Sequence, residues 1–378
     1  MPAHPRTYLL SCGGTGGHLS PGIALAEGLA ARGDRAVLLI SEKQVDARLA
    51  AKYPALRFAP IPGSPFGAHP AVLTRFLFTQ SKGFTAGLRL VRSLRPAGII
   101  GFGGFTTASV ILAGALHGVP VALHEANRMP GKAVRHLARL ARRVYLPPGI
   151  TLPGVATAKV RSASLPVRAE IRPLPRTEAA ARLGLDPAKK ILVVFGGSQG
   201  ATPLNTWARS AAGEFAARDV QLACVTGLGK GDAELTTAAG PHGEPVRAIW
   251  IPFCDDVAAL LSAADLVVAR AGAGSLAEFA RIGSPAILVP YPQAADDHQR
   301  ANATWFAAQG GGVVLEQAAL AELTPLTASL LADPARLSAH RAALARLDIA
   351  PALDFILEDL DTLVAPRLRA ASRATVAA

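Results

Sequence analysis

Two facing doubly wound α/β domains are predicted by three features of the sequence. Strand–loop–helix units recur in both halves, four glycine-rich turns stand at strand ends, and 378 residues suit two cores better than one. Half of the residues are apolar and 17% are charged, the balance of a well-buried globular chain. Strands that alternate with helices imply parallel sheets covered on both faces.

The apolar run Thr7–Cys12 reads as the first strand, Gly13-Gly14-Thr15-Gly16-Gly17-His18 as a loop, and Pro21–Ala31 as a helix. Ala36–Ile40 follows as a second strand. Gly98–Gly101 then leads into Gly103-Gly104-Phe105 and a helix that runs to His117, and Val119–Leu123 and Arg143–Leu146 complete the first half as short buried strands. Between Val144 and Pro175 the chain is rich in proline and loses helical periodicity, which marks a connection between domains. The second half restarts the pattern with Lys190–Phe195 as strand, Gly196-Gly197-Ser198-Gln199-Gly200 as loop and a helix from Ala201. Further strands are expected at Val220–Val225, Val246–Ile249, Leu266–Ala269 and Ala286–Val289. The division is therefore placed at residues 1–165, 166–350 and a C-terminal helix in 351–378, for which packing back on the first domain is one option and the sequence alone does not choose the domain.

Three unevenly spaced cysteines, Cys12, Cys224 and Cys254, suit reduced thiols better than a disulfide framework or a zinc site. The first residues lack the apolar core of a signal peptide, so none is expected. The longest apolar stretch, Ala108–Leu123, is broken by Gly114, His117, Gly118 and Pro120, short of the roughly 20 clean residues a spanning helix needs. The net charge of +12 is unevenly divided: residues 1–168 hold 21 Lys+Arg against 5 Asp+Glu, and the remainder 18 against 22. A basic first half attracts anionic membranes, phosphorylated ligands or nucleic acid, and charge alone does not choose among them.

Glycine between a strand and a helix lets backbone approach a phosphate, while free N–H groups and the helix dipole favour negative charge. Such turns lie at Gly13–Gly17, Gly101–Gly104, Gly196–Gly200 and Gly272–Gly274. Tight packing alone would also select glycine there. Ligands in open α/β sheets bind beyond the carboxyl ends of the strands, so a cleft between the halves is the expected site. A dinucleotide fingerprint competes through Gly14-Thr15-Gly16 and Glu42, but its third glycine is replaced by Leu19. Asp265–Glu278 reads as a strand ending at Arg270, a turn at Ala271–Ser275 and a helix with Glu278 in its first turn. That carboxylate suits a ribose; it equally suits a capping box opened by Ser275. Asp296, Asp297, His298 and Gln299 suit a sugar rich in hydroxyls, or, for either aspartate, a helix cap. The only Asp-x-Asp spacing, Asp359-Leu360-Asp361, lies in the C-terminal helical pattern and reads as a solvated face, so no metal and no cofactor is expected. Backbone N–H groups, a helix dipole and arginines would then stabilise a diphosphate leaving group.

Taken together, Gly13–His18 with Pro21-Gly22, Gly103-Gly104-Phe105, His124-Glu125-Ala126-Asn127, Gly196–Ala201, and Arg270–Glu278 with Asp297-His298-Gln299 resemble the MurG family of undecaprenyl-diphospho-muramoylpentapeptide N-acetylglucosaminyltransferases over nearly the whole chain. The resemblance implies two Rossmann-like domains of the GT-B fold. It implies inverting, metal-independent transfer of N-acetylglucosamine from UDP-N-acetylglucosamine to the muramoyl C4 hydroxyl of lipid I, giving lipid II. It places donor contacts on Thr15, Gly16, Gly17, Asn127, Arg168, Ser198, Cys254, Ala273, Gly274, Ser275, Leu276, Ala277, Glu278 and Gln299, and the acceptor diphosphate on Gly14, Gly103 and Gly104. Glu278 would hold the ribose and Gln299 the sugar hydroxyls. The chain departs from the family pattern at Ala126, at Ser164-Leu165 and at Thr107-Ala108-Ser109, on the acceptor side or near the hinge.

Residues 64–95 carry Arg75, Lys82, Arg89, Arg92 and Arg95 without an acid, interleaved with Phe76, Leu77, Phe78, Phe84 and Leu88. This composition can lie on anionic lipid at about 1 kcal/mol per basic residue; an ordinary solvated basic helix is the other reading. Nucleic acid is disfavoured because no stacking-aromatic motif accompanies the charge. The expected place is the cytoplasmic face of the bacterial plasma membrane, with room for other cell-wall enzymes as partners. His18 and Glu125 are the candidates for the general base. His18 at a helix N-terminus would be kept neutral, or would hold the acceptor diphosphate or brace the loop. A UDP-N-acetylglucosamine 2-epimerase of the same fold, or a non-catalytic membrane-docking protein, are the competing functions.

Overall fold

The computed structural model describes residues 5–14, 16–42, 44–197, 199–348 and 352–376. The chain forms two compact units that divide between Arg168 and Ala169, and the C-terminal helix belongs to the first.

The first unit begins with β1 (Thr7–Ser11), α1 (Gly16–Ala31), β2 (Arg35–Ile40), α2 (Gln44–Ala51), β3 (Arg57–Pro60) and α3 (Pro70–Leu94). It continues through β4 (Gly98–Gly101), α4 (Thr107–Leu116), β5 (Val121–His124), α5 (Lys132–Leu137), β6 (Arg143–Leu146) and β7 (Val160–Ser162). Its seven strands lie in the order β3-β2-β1-β4-β5-β6-β7, all parallel. The order reverses between β1 and β4, where Ser11 stands beside Gly101.

The second unit holds α6 (Arg176–Arg182), β8 (Lys190–Phe195), α7 (Thr202–Ala216), β9 (Val220–Val225), β10 (Glu234–Ala239), β11 (Pro245–Ile251) and α8 (Val257–Ala263). There follow β12 (Leu266–Ala269), α9 (Ala273–Ile282), β13 (Ala286–Leu288), α10 (His298–Ala308), β14 (Gly312–Val314), α11 (Leu323–Leu331) and α12 (Pro334–Leu347). Strand order is β10-β11-β9-β8-β12-β13-β14, parallel except for β10. Here the reversal falls between β8 and β12. The chain closes with α13 (Ala352–Val376).

The central strands are short apolar runs buried on both faces, as parallel sheets require. In the first unit one core cluster fills the face under α1 and α13, and a second fills the face under α3, α4 and α5. Ile356, Leu357, Leu360, Leu363 and Val364 insert α13 into the former. Phe84 packs inward against the latter, so it sits on the core side of α3 and does not face outward with Phe78.

Two sequence expectations change here. Helix α1 starts at Gly16 rather than at Pro21, because Pro21 removes only the N–H that would reach Gly17, near the helix start. Extending the helix back also sends Leu19 fully into the core. Of the pair Asp359 and Asp361, read from the sequence as a solvated face, Asp361 is solvated, with 46% of its side chain exposed, and Asp359 is not. Asp359 keeps 10% of its side chain exposed, pairs with Arg143 (3.1 Å) and Arg161 (3.4 Å), and accepts from Tyr145 Oη at 3.0 Å. Asp361 pairs with Arg6 at 2.5 Å and Arg32 at 3.5 Å. Four arginines of the first unit thus fasten α13, and the Asp-x-Asp spacing serves that clasp.

Candidate functional site

The four glycine turns found in the sequence follow β1, β4, β8 and β12, the two strands on either side of the reversal point in each sheet. In an open α/β sheet this is where loops splay apart and leave room for a ligand.

In the first unit the turns after β1 and β4 touch through their backbones. A Cβ on Gly104 would stand 2.2 Å from the carbonyl oxygen of Gly13, and Thr106 Oγ1 donates to that same oxygen at 3.2 Å. Gly14, Gly103 and Gly104 all take positive φ, so side chains are excluded by conformation as well as by space. His18, in the first turn of α1, lies against this pair: a Cβ on Gly103 would meet its Nε2 at 3.1 Å. His18 is half-buried. Gly17 is exposed beside it, and Gly16 opens the helix. Thr15 lies outside the described residues. Gln80 of α3 donates to the Phe105 carbonyl at 2.6 Å and ties the second turn to the long helix. Thr107 and Ser109, read from the sequence as acceptor-side departures, are buried in packing: Thr107 Oγ1 donates to the Gly103 carbonyl and Ser109 Oγ to that of Thr106.

Glu125 directly follows β5 and is buried, and both of its oxygens are occupied. Oε1 accepts from the N–H and Nδ2 of Asn127 at 2.9 and 3.0 Å, and Oε2 from the N–H of Gly131 at 2.7 Å. This carboxylate braces the loop 125–131, a role that competes with proton transfer. Asn127, half-buried, is part of the brace. Before it, His124 lies between the rings of Phe102 (5.5 Å) and Tyr145 (6.4 Å), and burial pushes its pKa down to about 4. Arg168 is buried at the unit's end and donates to Tyr53 Oη at 3.0 Å.

On α3, Val72, Leu73, Leu77 and Phe78 are exposed along with Arg75, Lys82 and Arg89. Lys82 Nζ stands 4.3 Å from the Phe78 ring centre, and Phe76 is half-buried, edge-on to the exposed Phe66 at 5.5 Å. Among the described residues no helix is long and apolar enough to cross a membrane.

In the second unit the turn after β8 presses on the end of β9. A Cβ on Gly200 would fall 1.8 Å from the Thr226 carbonyl oxygen. Ser198 lies outside the described residues. Cys254 follows β11 and is half-buried. After β12, Arg270 turns inward, donates to the carbonyls of Val289 (3.0 Å) and Pro290 (3.1 Å) and to Gln317 Oε1 (2.5 Å), and lies under the Tyr291 ring. Burial lowers its pKa, and the surrounding carbonyls hold the charge.

Helix α9 begins immediately beyond, with Gly272 as an N-cap that offers no side chain and with no acid in the first turn. The leading N–H groups of Ala273, Gly274 and Ser275 therefore point outward with the positive end of the helix dipole. A Cβ on Gly274 would meet nothing within 4 Å. Leu276 is buried and Ala277 is half-buried. Glu278 is the sixth residue of the helix, not a residue of its first turn. Since Gly272 and not Ser275 is the cap, the capping-box reading of Glu278 fails. Gln299, half-buried on α10, accepts from the N–H groups of Ala271 (3.3 Å) and Tyr291 (3.0 Å) with its Oε1. Asp296 and Asp297 both adopt positive φ; Asp297 stands at the N-cap of α10 but pairs with Arg300 at 3.0 Å instead of capping. Among the described residues no group of three or more metal-ligating side chains gathers.

Two doubly wound units with glycine turns at their reversal points, one of them closed by a bare helix N-terminus, define the class of two-domain nucleotide-sugar glycosyltransferases. Residues 8–146 match the glycosyltransferase family 28 N-terminal domain and residues 191–350 the family 28 C-terminal domain. The UDP-N-acetylglucosamine--N-acetylmuramyl-(pentapeptide) pyrophosphoryl-undecaprenol N-acetylglucosamine transferase of Opitutus terrae (strain DSM 11246 / JCM 15787 / PB90-1) is 54% identical over 94% of this chain and 95% of its own length. Its namesake in Agrobacterium fabrum (strain C58 / ATCC 33970) is 36% identical over 89% and 88%. The crystal structure of Acinetobacter baumannii MurG superposes with a TM-score of 0.68 at 24% identity, covering 95% of this chain and all of that one. The chain belongs to the MurG family of glycosyltransferases.

Proposed function

We infer that this chain transfers N-acetylglucosamine from UDP-N-acetylglucosamine to the muramoyl C4 hydroxyl of lipid I, producing lipid II, with inversion at the sugar C1 and without a metal ion. The observation that carries the reading is the bare N-terminus of α9, with Gly274 open above it, Glu278 on the same helix, and Gln299 of α10 bonded to Ala271 just before its cap. Outward N–H groups and the dipole receive the diphosphate, and they stabilise the charge that grows on UDP as the C1–O bond breaks. Glu278 takes the ribose and Gln299 the sugar. Ser198 and Cys254 complete the donor contacts, together with Thr15, Gly16, Gly17, Asn127 and Arg168 of the first unit. The turns at Gly14, Gly103 and Gly104 receive the acceptor diphosphate. His18 is the base for the acceptor hydroxyl, favoured over Glu125 because the three loop N–H donors occupy the Glu125 carboxylate.

The exposed apolar residues of α3, flanked by Arg75, Lys82 and Arg89, support peripheral docking on an anionic membrane at its cytoplasmic face, beside the lipid acceptor. His18→Ala tests the assignment of the base. With labelled UDP-N-acetylglucosamine and a lipid I analogue, kcat is expected to fall on the order of 10²- to 10⁴-fold while the Kd of UDP stays within twofold. Unchanged turnover removes His18 from the chemistry. Label recovered as free N-acetylmannosamine from the native protein identifies an epimerase.

A further inference from the structure

Asn302 of α10 is 2% exposed, and its Nδ2 donates to the carbonyl of Ala271 at 3.1 Å. One turn earlier on the same helix, Gln299 Oε1 accepts from the N–H of that same Ala271 at 3.3 Å. Residues three apart share a helix face, so two carboxamides of α10 grip both polar groups of one residue. Ala271 is fully buried and directly precedes Gly272, the N-cap from which the outward N–H groups of α9 begin. A side-chain grip on both polar groups of this residue fixes the direction in which α9 opens.

The same contacts fix the polarity of Gln299. Two backbone N–H groups, from Ala271 and Tyr291, converge on one atom of its carboxamide, and only the oxygen can accept from them. The Nε2 group is therefore the end turned away from the brace, and among the described residues no acceptor takes it. Gln299 can give hydrogen bonds to a ligand there but cannot receive one.

We propose that Asn302 is a positioning residue for the donor site, and that Gln299, held by its oxygen, addresses the donor sugar as a hydrogen-bond donor through its amide NH2. The proposal rests on the donor reading given above and adds a residue and a polarity to it. In Asn302→Asp a carboxylate replaces the amide that donates to the Ala271 carbonyl, and in Asn302→Ala the contact is lost. Gln299→Glu keeps an oxygen for both backbone N–H groups and removes the NH2 group.

Two readouts test this. Initial rates with varied UDP-N-acetylglucosamine should show the donor KM raised about tenfold in both Asn302 variants, the loss of one buried hydrogen bond, with the acceptor KM within twofold of native. A donor KM that stays native while the melting temperature falls would reduce Asn302 to a packing residue and overturn its part. For Gln299→Glu, Kd is measured for UDP and for UDP-N-acetylglucosamine, so that repulsion between the new charge and the diphosphate is common to both. The ratio of the two is expected to shift about tenfold against the sugar nucleotide. An unchanged ratio would overturn the polarity. If the native protein binds neither nucleotide, the donor reading falls and the proposal with it; native binding with unaffected variants overturns the proposal alone.

Discussion

Gly274 is the second residue of α9; its φ lies outside the left-handed range, and a Cβ there would meet nothing within 4 Å. The fold therefore has room for alanine at this position. Alanine is the better helix former by up to about 1 kcal/mol, so Gly274→Ala should leave the melting temperature unchanged or raise it by roughly 2–4 °C for a domain of this size. The ligand is affected in the opposite direction. Phosphate oxygens must come within about 3 Å of the leading N–H groups, and a methyl at Gly274 intrudes on that approach. Losing one or two charge-assisted hydrogen bonds, each worth about 1.5–3 kcal/mol, should raise the donor KM on the order of 10- to 100-fold. Gly200→Ala is the contrasting control, because its Cβ would fall 1.8 Å from the Thr226 oxygen at a φ of +64° and should cost stability directly. Thermal melting and initial rates on the two variants decide the matter. A native donor KM in Gly274→Ala, or a melting temperature lowered by several degrees, would refute the idea that this glycine is kept for the ligand.

Three further outcomes are expected. His124, whose pKa is pushed down to about 4 by burial, is neutral when folded and binds a proton when unfolded. Its contribution is therefore complete above about pH 6.5 and is lost as pH falls toward 4, a drop of about 3 kcal/mol that melting curves should show and that His124→Phe should flatten. Asp359→Ala leaves Arg143, Arg161 and Tyr145 without their shared acceptor, and should cost about 2–4 kcal/mol of stability by denaturant titration. Of the three cysteines, the thiol of Cys224 is pushed up to about 12 by burial and Cys12 is buried, so alkylation near pH 8 should modify Cys254 alone and be slowed by UDP, as read by peptide mass mapping.

Much of the fold was legible because parallel-sheet strands are written as short apolar runs closed by glycine. Lys190–Phe195, Val220–Val225, Leu266–Ala269 and Arg143–Leu146 form strands with those bounds. Strands of different character escaped. Glu234–Ala239 pairs antiparallel at a sheet edge with no position buried, so it lacks the continuous apolar run of a central strand, while Val160–Ser162 is three residues long in a proline-rich stretch. The start of α1 was missed because proline usually opens a helix, and here it is the sixth residue.

At the site, the glycine turns could be read from strand-end position alone, since conformation and close approach leave a local signature. Long-range partnerships left none. The arginines that hold Asp359 come from β6 and β7, more than 190 residues away in sequence, and no local pattern reveals that pairing. The Glu125 brace depends on a loop whose N–H groups only the folded backbone assembles. Asn302 was within reach, three residues after Gln299 and beyond the aspartates that the sequence offers as a helix cap, a spacing that on a helix puts both carboxamides on one face.

The central claim is transfer of a sugar from a UDP donor to a lipid-linked acceptor with inversion and without a metal. The most direct measurement is proton NMR of the product formed from UDP-N-acetylglucosamine and a soluble lipid I analogue in the presence of excess EDTA. The account predicts a disaccharide whose new linkage is β, opposite to the α-linked donor, formed with one equivalent of UDP and at a rate EDTA does not change. An α linkage, a rate abolished by EDTA, or release of UDP with N-acetylmannosamine in place of a disaccharide would contradict it.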